Sequence, residues 1–155
     1  MIGLGYDTHR LVEGRPLILG GVRIEHELGL AGHSDADVLT HAVMDALLGA
    51  AGLGDIGEHF PDTDERWRDA DSIALLREVV GMVRGEGLRV INVDATVVLE
   101  RPKVAPHRTA MRARLAEAIG VDERRVNVKA TTGEGLGFVG RSEGAAALAV
   151  AALEA

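Results

Sequence analysis

Several residue types are absent or scarce in this chain of 155 residues, and each shortage limits what the protein can be. Cysteine is absent, which excludes disulfide bonds, thiolate metal ligands and cysteine nucleophiles. Aromatic residues make up only 3% of the chain, so the core must be packed mainly from aliphatic side chains. No apolar run approaches the ~18 residues that a membrane-spanning helix needs. The first residues also lack the pattern of a signal peptide, so we expect a cytoplasmic protein that makes no use of a membrane.

Positive charge is scarce as well. The net charge is −7 at pH 7, and the basic residues, nearly all of them arginine, form no cluster. A nucleic-acid-binding surface concentrates positive charge, so we expect no nucleic-acid partner. An acidic protein that handles phosphates would have to provide positive charge locally, through metal ions, helix N-termini or backbone N–H groups.

The chain has the size and composition of one globular domain. With 46% hydrophobic and 26% charged residues, it is long enough to bury a sizeable core. It contains no internal repeat and no linker. We therefore predict a single domain over residues 1–155.

A short glycine-rich apolar segment predicts a strand over residues 2–8 that stops in a functional loop. Asp7 and His9 should point to the same side, because side chains along an extended chain repeat every two residues. A carboxylate and an imidazole side by side form half of a metal site. A surface loop with two polar residues would give the same pattern.

Residues 33–45 combine a helix-opening signal with many ionisable groups. We predict a helix that starts at residue 35, with Ser34 as its N-cap and Asp37 completing a capping box. Asp37, His41 and Asp45 then share one face, and the two carboxylates could support His41 as a metal ligand. A solvated acidic face with a surface histidine would explain the pattern equally well. The helix should end among the glycines of residues 49–54.

The remaining periodic segments add both helices and strands. Spacing predicts amphipathic helices over residues 72–86 and 109–119, and apolar alternation predicts strands over 88–100 and 126–129. Residues 16–24 predict two short strands around a glycine pair, and 25–32 a loop. The alanine-rich residues 144–153 stay open, because propensity favours a helix whereas alternation of alanine and valine permits a buried strand.

Two loops could bind a ligand. Residues 54–64 mix glycine, proline and carboxylates, which is typical of a binding loop but also of a flexible acidic connector. Residues 130–141 follow a strand and are rich in glycine and threonine, so their N–H and hydroxyl groups could cradle phosphate oxygens. This segment is not a Walker loop, and glycine-rich loops are common.

These motifs, taken in order, resemble those of a known enzyme family over the whole chain. The matching segments are residues 5–9, 33–37 with His41, 54–57 with 60–64, 101–103, and 126–132 with Glu134, Gly137, Phe138, Gly140 and Arg141. Their order and spacing resemble the 2-C-methyl-D-erythritol 2,4-cyclodiphosphate synthases, enzymes of the non-mevalonate isoprenoid pathway.

The resemblance implies an α/β (α+β) fold, in which one mixed sheet carries helices on one face. It also implies a homotrimer, with three sheets packed around a threefold axis. The active sites would lie between neighbouring subunits, with zinc on one and the cytidine pocket on the next. On this fold residues 144–153 form a strand, and we adopt that prediction.

The implied reaction is a phosphoryl transfer within one substrate. The 2-phosphate of 4-diphosphocytidyl-2-C-methyl-D-erythritol 2-phosphate attacks the β-phosphorus, which closes a cyclic diphosphate and expels CMP, so no residue has to act as a nucleophile. By the resemblance, Asp7, His9 and His41 are zinc ligands, a donor set that suits zinc and leaves one position open. Glu134 is the implied ligand of a second divalent ion, magnesium or manganese.

Further site residues follow from the same resemblance. His33 and Thr132 would stabilise the transition state beside the reacting phosphates. Implied substrate contacts are Asp7, Thr8, His9, His33 and Ser34 on the zinc side; Asp55, Ile56 and Gly57 at the methylerythritol hydroxyls, with Phe60, Pro61, Asp62, Thr63 and Asp64 as the loop over them; and Leu99, Glu100, Arg101, Pro102, Lys103, Val104, Ala105, Ala130, Thr131, Thr132 and Gly133 around the cytidine. Phe138 and Arg141 would face a central channel, where some family members hold an isoprenoid diphosphate.

The chain departs from the family pattern at a few positions. Tyr6 stands where Phe is usual, and Gly133 and Gly135 flank Glu134 in place of larger residues, which loosens the loop around the second metal. Two other functions compete with the synthase. One is a non-catalytic module that binds zinc or a cytidine nucleotide, and the other is a metallohydrolase that uses zinc-bound water.

Overall fold

One mixed β-sheet and a layer of helices form the fold, and the computed structural model describes all of residues 1–155. The strands are β1 (Ile2–Glu13), β2 (Leu17–Leu19), β3 (Val22–Ile24), β4 (Leu28–Leu30), β5 (Arg89–Val98), β6 (Val126–Thr131) and β7 (Gly144–Glu154). The helices are α1 (Val38–Ala51), α2 (Ile56–His59), α3 (Ser72–Gly85), α4 (Arg108–Ile119) and α5 (Gly137–Gly140).

The main sheet has five strands in the order β4-β1-β7-β5-β6. β7 pairs antiparallel with β1 and β5, whereas β5 and β6 run parallel, so the sheet is mixed. The predicted strand over residues 144–153 is therefore confirmed, because pairing on both sides outweighs the helix propensity of alanine. β2 and β3 form the predicted hairpin, in which Gly20 and Gly21 supply the positive φ angles of the turn.

The helices lie on one face of this sheet, as predicted. α1 packs across β1 and β7, α3 packs against α1, and α4 packs against α3 and β6. α3 buries Ile73, Leu76, Val80 and Val83, which are the apolar stripe that its spacing predicts. Phe60 is the only aromatic residue among the buried hydrophobic residues, so the core is aliphatic as the composition requires. No helix combines the length and the apolar character that crossing a membrane demands.

Three predicted boundaries were wrong. β1 continues to Glu13 because its second half pairs with β7 and β4, so Asp7 and His9 lie within the strand rather than in a loop. The predicted loop over residues 25–32 contains β4, which pairs with the end of β1. Within residues 54–64, the Asp55 side chain accepts the Glu58 N–H and caps the single turn α2.

The start of α1 also differs from the prediction. The helix begins at Val38 and its N-cap is Asp37, not Ser34. Ala36 has a positive φ of 57°, a left-handed conformation that no α-helix of L-residues can continue. The chain therefore turns sharply after Ser34 before the helix starts.

Asp37 is a buried anchor between the β2–β3 hairpin and α1. Its fully buried carboxylate accepts hydrogen bonds from the N–H groups of Gly20, Gly21 and Thr40 and from the Thr40 hydroxyl. Burial raises the pKa of Asp37 even though these four donors favour the charged form. The prediction that the Asp37 carboxylate supports the His41 side chain is wrong, because every hydrogen bond of this carboxylate is made to Gly20, Gly21 or Thr40.

Replacing Asp37 with alanine should lower the free energy of unfolding by about 3 kcal/mol or more, because the change removes a helix cap and leaves buried N–H groups without an acceptor. Urea denaturation followed by circular dichroism measures the loss. Asp122→Ala is the matched control, since Asp122 caps the turn Glu123–Arg125 at the surface and should cost about 1 kcal/mol. Equal losses would mean that the buried junction adds nothing to a simple cap.

Glycines in β1 allow α1 to approach the sheet closely. A Cβ atom added to Gly5 would lie 1.9 Å from the Ala42 carbonyl oxygen, and one added to Gly3 would lie 2.0 Å from that of Ala46. Side-chain carbons cannot approach backbone atoms that closely. Any larger residue at either position would therefore push α1 away from β1.

Gly5→Ala should accordingly lower the free energy of unfolding by about 2 kcal/mol or more. Gly49→Ala is the control on α1 itself, because its new methyl group would meet open space and should raise stability by up to about 1 kcal/mol. Chemical denaturation of both variants beside the parent chain measures the two effects. A Gly5→Ala protein of unchanged stability would contradict the close packing of helix and strand.

Candidate metal centre and pocket

Asp7, His9 and His41 meet where α1 crosses β1. Asp7 and His9 share one side of the strand, as predicted, and His41 reaches them from the first turn of α1. His9 Nε2 lies 2.9 Å from Asp7 Oδ2 and 3.3 Å from His41 Nδ1, and His41 Nδ1 lies 3.1 Å from Asp7 Oδ2. These three atoms form a compact triangle, the one group of three such side chains in the chain that could hold a metal ion.

The outer nitrogens of both imidazoles have partners of their own. His9 Nδ1 donates to the Ala31 carbonyl oxygen at 2.9 Å. His41 Nε2 lies 2.9 Å from the Ser72 hydroxyl oxygen and 3.2 Å from that of Ser34. Such partners orient the histidines of metal sites. Tetrahedral zinc at its usual bond lengths separates its ligand atoms by about 3.4 Å, so this donor set fits zinc with one position left over.

The interaction between Asp7 and the histidines offsets the cost of burying these side chains. Burial alone would raise the pKa of Asp7, but its hydrogen bonds with His41 and His9 outweigh burial and lower the pKa to about 2. Burial alone would lower the pKa of His9, whereas the bond to Asp7 prevails and raises it. A bound cation would provide the same compensation between the three side chains.

The three residues line an open cavity of about 640 Å³. The other lining residues are Gly32, His33, Ser34, Asp45, Asp55, Ile56, Gly57, Phe60, Pro61, Asp62, Trp67 and Leu75. Eight of these twelve are predicted substrate contacts, namely His33, Ser34, Asp55, Ile56, Gly57, Phe60, Pro61 and Asp62. The fold therefore brings the zinc-side residues and the methylerythritol-side residues of the prediction to one cavity.

Hydrogen bonds to the backbone hold the cavity wall in place. His33 Nε2 donates to the Asp64 carbonyl oxygen at 2.8 Å. Asp45 accepts the Ile56 N–H at 2.9 Å, and burial raises the pKa of its carboxyl. Asp45 thus anchors the start of α2, and the prediction that it supports His41 directly is wrong. Asp45 lies one helical turn after His41 on α1, so it lines the same cavity as His41.

The predicted cytidine and phosphate segments lie away from this cavity. None of residues 99–105 or 130–141 lines it. Asp7 pairs with Ala147, which shares a row of the sheet with Ala130, so Ala130 lies three strand spacings, about 14 Å, from Asp7. One chain therefore presents the metal centre and the glycine-threonine loop at separate places.

The glycine-threonine loop has its own hydrogen bonds. The Glu100 carboxylate accepts the Gly133 N–H at 2.9 Å, and the Glu134 N–H donates to the Thr132 hydroxyl at 3.1 Å. Glu134 is exposed, has a positive φ of 55° and belongs to no cluster of three acidic or histidine side chains. A cation at Glu134 would need further oxygen atoms from a ligand.

Besides the cytidine segments, five predicted contacts fall outside the cavity lining, namely Thr8, Thr63, Asp64, Phe138 and Arg141. Thr8 points to the other face of β1, where it borders a cleft with Tyr6 and Phe138. Arg141 forms an ion pair with Glu143 at 3.1 Å. Thr63 is exposed and does not line the cavity.

Sequence reasoning missed three contributors to the site. Trp67 lines the cavity and packs edge-on against Phe60, with ring centroids 5.0 Å apart. As the only tryptophan, placed just after an acidic loop, it offered a usable signal. The Ala31 carbonyl and the Ser72 hydroxyl offered none, because they reach the histidines only through the fold.

The fold and the site together define a class, a mixed α/β protein with a group of Asp and two His side chains that could hold a metal ion at a polar cavity. The chain belongs to the YgbB family, whose model matches residues 1–154.

Relatives in this family carry a more specific name. The chain is 65% identical over 153 residues to the 2-C-methyl-D-erythritol 2,4-cyclodiphosphate synthase of Salinibacter ruber, covering 99% of this chain and 98% of the relative. A solved CDP-bound 2C-methyl-D-erythritol-2,4-cyclodiphosphate synthase has a TM-score of 0.91 and 42% identity, covering 99% of this chain and 100% of that one. The bifunctional IspDF of Campylobacter jejuni has a TM-score of 0.95 and 49% identity over 98% of this chain, which corresponds to 41% of that longer protein.

Proposed function

We propose that the chain is one synthase domain over residues 1–155. It converts 4-diphosphocytidyl-2-C-methyl-D-erythritol 2-phosphate to 2-C-methyl-D-erythritol 2,4-cyclodiphosphate and CMP, a cytoplasmic step of isoprenoid precursor synthesis. The observation that carries the proposal is the Asp7, His9 and His41 centre beside a cavity lined by the expected substrate contacts, in a chain 65% identical to a synthase of that name.

Two metal ions would supply the positive charge that the chain lacks. Asp7, His9 and His41 would hold zinc, whose charge would neutralise and orient the 2-phosphate. Glu134 would hold magnesium or manganese together with oxygens of the diphosphate. This division agrees with the two environments, a preformed triangle of donors at Asp7 and a lone exposed carboxylate at Glu134.

The substrate brings its own nucleophile, so the residues act by positioning and by charge stabilisation. An oxygen of the 2-phosphate bonds to the β-phosphorus while the bond from that phosphorus to the bridging oxygen breaks, and CMP leaves with the bridging oxygen. His33 has Nε2 committed to the Asp64 carbonyl oxygen, so only Nδ1, when the ring is protonated, can donate to the phosphates. Thr132 would donate from its hydroxyl to the oxygens that gain charge.

The cavity wall would hold the methylerythritol unit. Asp55, Ile56 and Gly57 line the cavity at the start of α2, where a carboxylate and N–H groups can bind hydroxyls. Residues 60–64 would form the loop over this unit. The apolar edge formed by Phe60 and Trp67 would accept its methyl group.

A second subunit would complete the site. None of residues 99–105 and 130–132, the proposed cytidine pocket, lines the cavity at Asp7, so they would serve the metal centre of a neighbour. The sheet face opposite the helices also favours a homotrimer with three sheets around a threefold axis, because monomers rarely leave such an apolar patch in water. The exposed apolar side chains of this face are Ile2, Leu4, Tyr6, Leu148 and Val150.

Phe138 and Arg141 would border the axial channel, where an isoprenoid diphosphate could bind.

The pure chain loaded with zinc and magnesium should release CMP and the cyclic diphosphate from the cytidyl substrate, as followed by chromatography and phosphorus NMR. His41→Ala should lose its zinc and slow CMP release by at least about 100-fold, because a ligand is removed. His26→Ala, in the connection between β3 and β4, is the matched control and should keep both properties.

Other outcomes separate the rival functions. Tight CDP binding without turnover would favour a nucleotide-binding module, and an open-chain product would favour a metallohydrolase. Unchanged zinc content in His41→Ala, by elemental analysis, would refute the ligand assignment.

Leu4→Lys should convert the trimer to a monomer and reduce CMP release, because a charge in the centre of the apolar face prevents its burial. Light scattering after size-exclusion chromatography measures the mass. Glu117→Lys places the same charge on the exposed side of α4 and should leave the mass unchanged. A monomeric parent chain, or a trimeric Leu4→Lys variant, would contradict the assignment of this face.

A further inference from the structure

Ser72 connects a metal-centre histidine to a carboxylate that has no other assigned role. Ser72 is the first residue of α3 and is fully buried. Its hydroxyl donates to Asp35 Oδ1, and its N–H donates to Asp35 Oδ2 at 3.0 Å. The same hydroxyl oxygen lies 2.9 Å from His41 Nε2. Asp35, Ser72 and His41 therefore form one continuous chain of hydrogen bonds.

The direction of these bonds is fixed by the carboxylate. Asp35 also accepts the Asp37 N–H at 3.1 Å, so all three of its protein contacts are donors. Ser72 donates its hydroxyl hydrogen to Asp35, so only the lone pairs of the Ser72 oxygen are available to His41. His41 Nε2 must then carry a hydrogen and donate it to Ser72.

The position of this hydrogen decides whether His41 can bind a cation. With the hydrogen on Nε2, the lone pair of Nδ1 points at Asp7 and His9. In the other tautomer Nδ1 would donate to Asp7 Oδ2, 3.1 Å away, and would block the place of the metal. Ser34 cannot make this choice, because its hydroxyl, 3.2 Å from Nε2, has no carboxylate to fix its hydrogen.

We propose that Asp35 and Ser72 are positioning residues that hold His41 in the tautomer able to bind the metal. The proposal rests on the metal centre put forward under Proposed function. Backbone hydrogen bonds also join the two segments that carry the pair, since the Asp69 N–H donates to the His33 carbonyl oxygen and the Asp35 N–H to that of Ala70. The segment that precedes Ser72 is thus bonded to the backbone of both His33 and Asp35.

Zinc affinity is the first test, measured by competition with a chromophoric chelator. Ser72→Ala should weaken zinc binding by about 10- to 100-fold, the usual cost of losing the hydrogen-bond partner of a metal-bound histidine. Ser34→Ala is the matched control, since it removes the other hydroxyl near Nε2, and its loss should be clearly smaller. An unchanged affinity in Ser72→Ala, or an equal loss in Ser34→Ala, overturns the proposal.

The tautomer is the second test, read from long-range proton–nitrogen correlations in the metal-free chain. In the parent, Nε2 of His41 should carry a hydrogen, whether or not Nδ1 also shares one with Asp7. Asp35→Asn should move population to Nδ1, because an amide group can donate to Ser72 and free its hydroxyl to donate to Nε2. Asp35→Asn also decides the question if Ser72→Ala fails to fold. A parent whose Nε2 carries no hydrogen, or an Asp35→Asn variant in which Nε2 keeps its hydrogen, overturns the proposal.

Neither measurement uses the cytidyl substrate, so the two proposals can fail separately. If the metal-loaded parent released no CMP, the synthase assignment would fail while the zinc and tautomer results still applied. If CMP release were normal but Ser72→Ala kept full zinc affinity, only the role of the Asp35 and Ser72 pair would fail.

Discussion

The close contact between α1 and β1 is the constraint on which the site depends. His41 comes from the helix and Asp7 from the strand, and their ligand atoms can approach to 3.1 Å only because the two backbones nearly touch. That approach requires Gly3 and Gly5, where a methyl group would collide with carbonyl oxygens of α1. The metal centre is therefore a consequence of glycine placement as much as of the ligands themselves.

Two polar anchors fix the rotation and depth of α1, one at its N-cap and one in its second turn. Asp37 joins the helix start to the β2–β3 hairpin, and Asp45 joins its second turn to α2. Both carboxylates are held by backbone N–H groups, and burial raises the pKa of both. They resist rotation of the helix because each would lose its donors. His41, between them, is thereby held at one angle to the strand.

The sequence predicts the candidate metal ligands better than the residues that hold those ligands in place. Alternation along β1 placed Asp7 and His9 on one side, and four-residue spacing placed His41 and Asp45 toward one cavity. The N-cap was misplaced because Ser34 and Asp37 are both good caps, and the choice between them depends on the left-handed Ala36 and on donors from a distant hairpin. Residues 144–153 needed the strands on both sides before alanine could be assigned to a strand. Ser72 was predicted only as the first residue of the helix over residues 72–86, because its contact with His41 spans 31 positions of the chain.

The shortage of positive charge explains why the centre has this composition. The cavity is lined by Asp7, Asp45, Asp55 and Asp62 and contains no lysine or arginine, in a chain with a net charge of −7. Such a surface repels phosphates on its own. A cation would offset this charge for a substrate with several phosphate groups, and the triangle of Asp7, His9 and His41 is the one place where the protein can bind such a cation with three side chains. A metal ion held by Asp7, His9 and His41 would therefore supply positive charge where the cavity lacks it, and the proposed support of His41 by Asp35 and Ser72 would contribute to holding that ion.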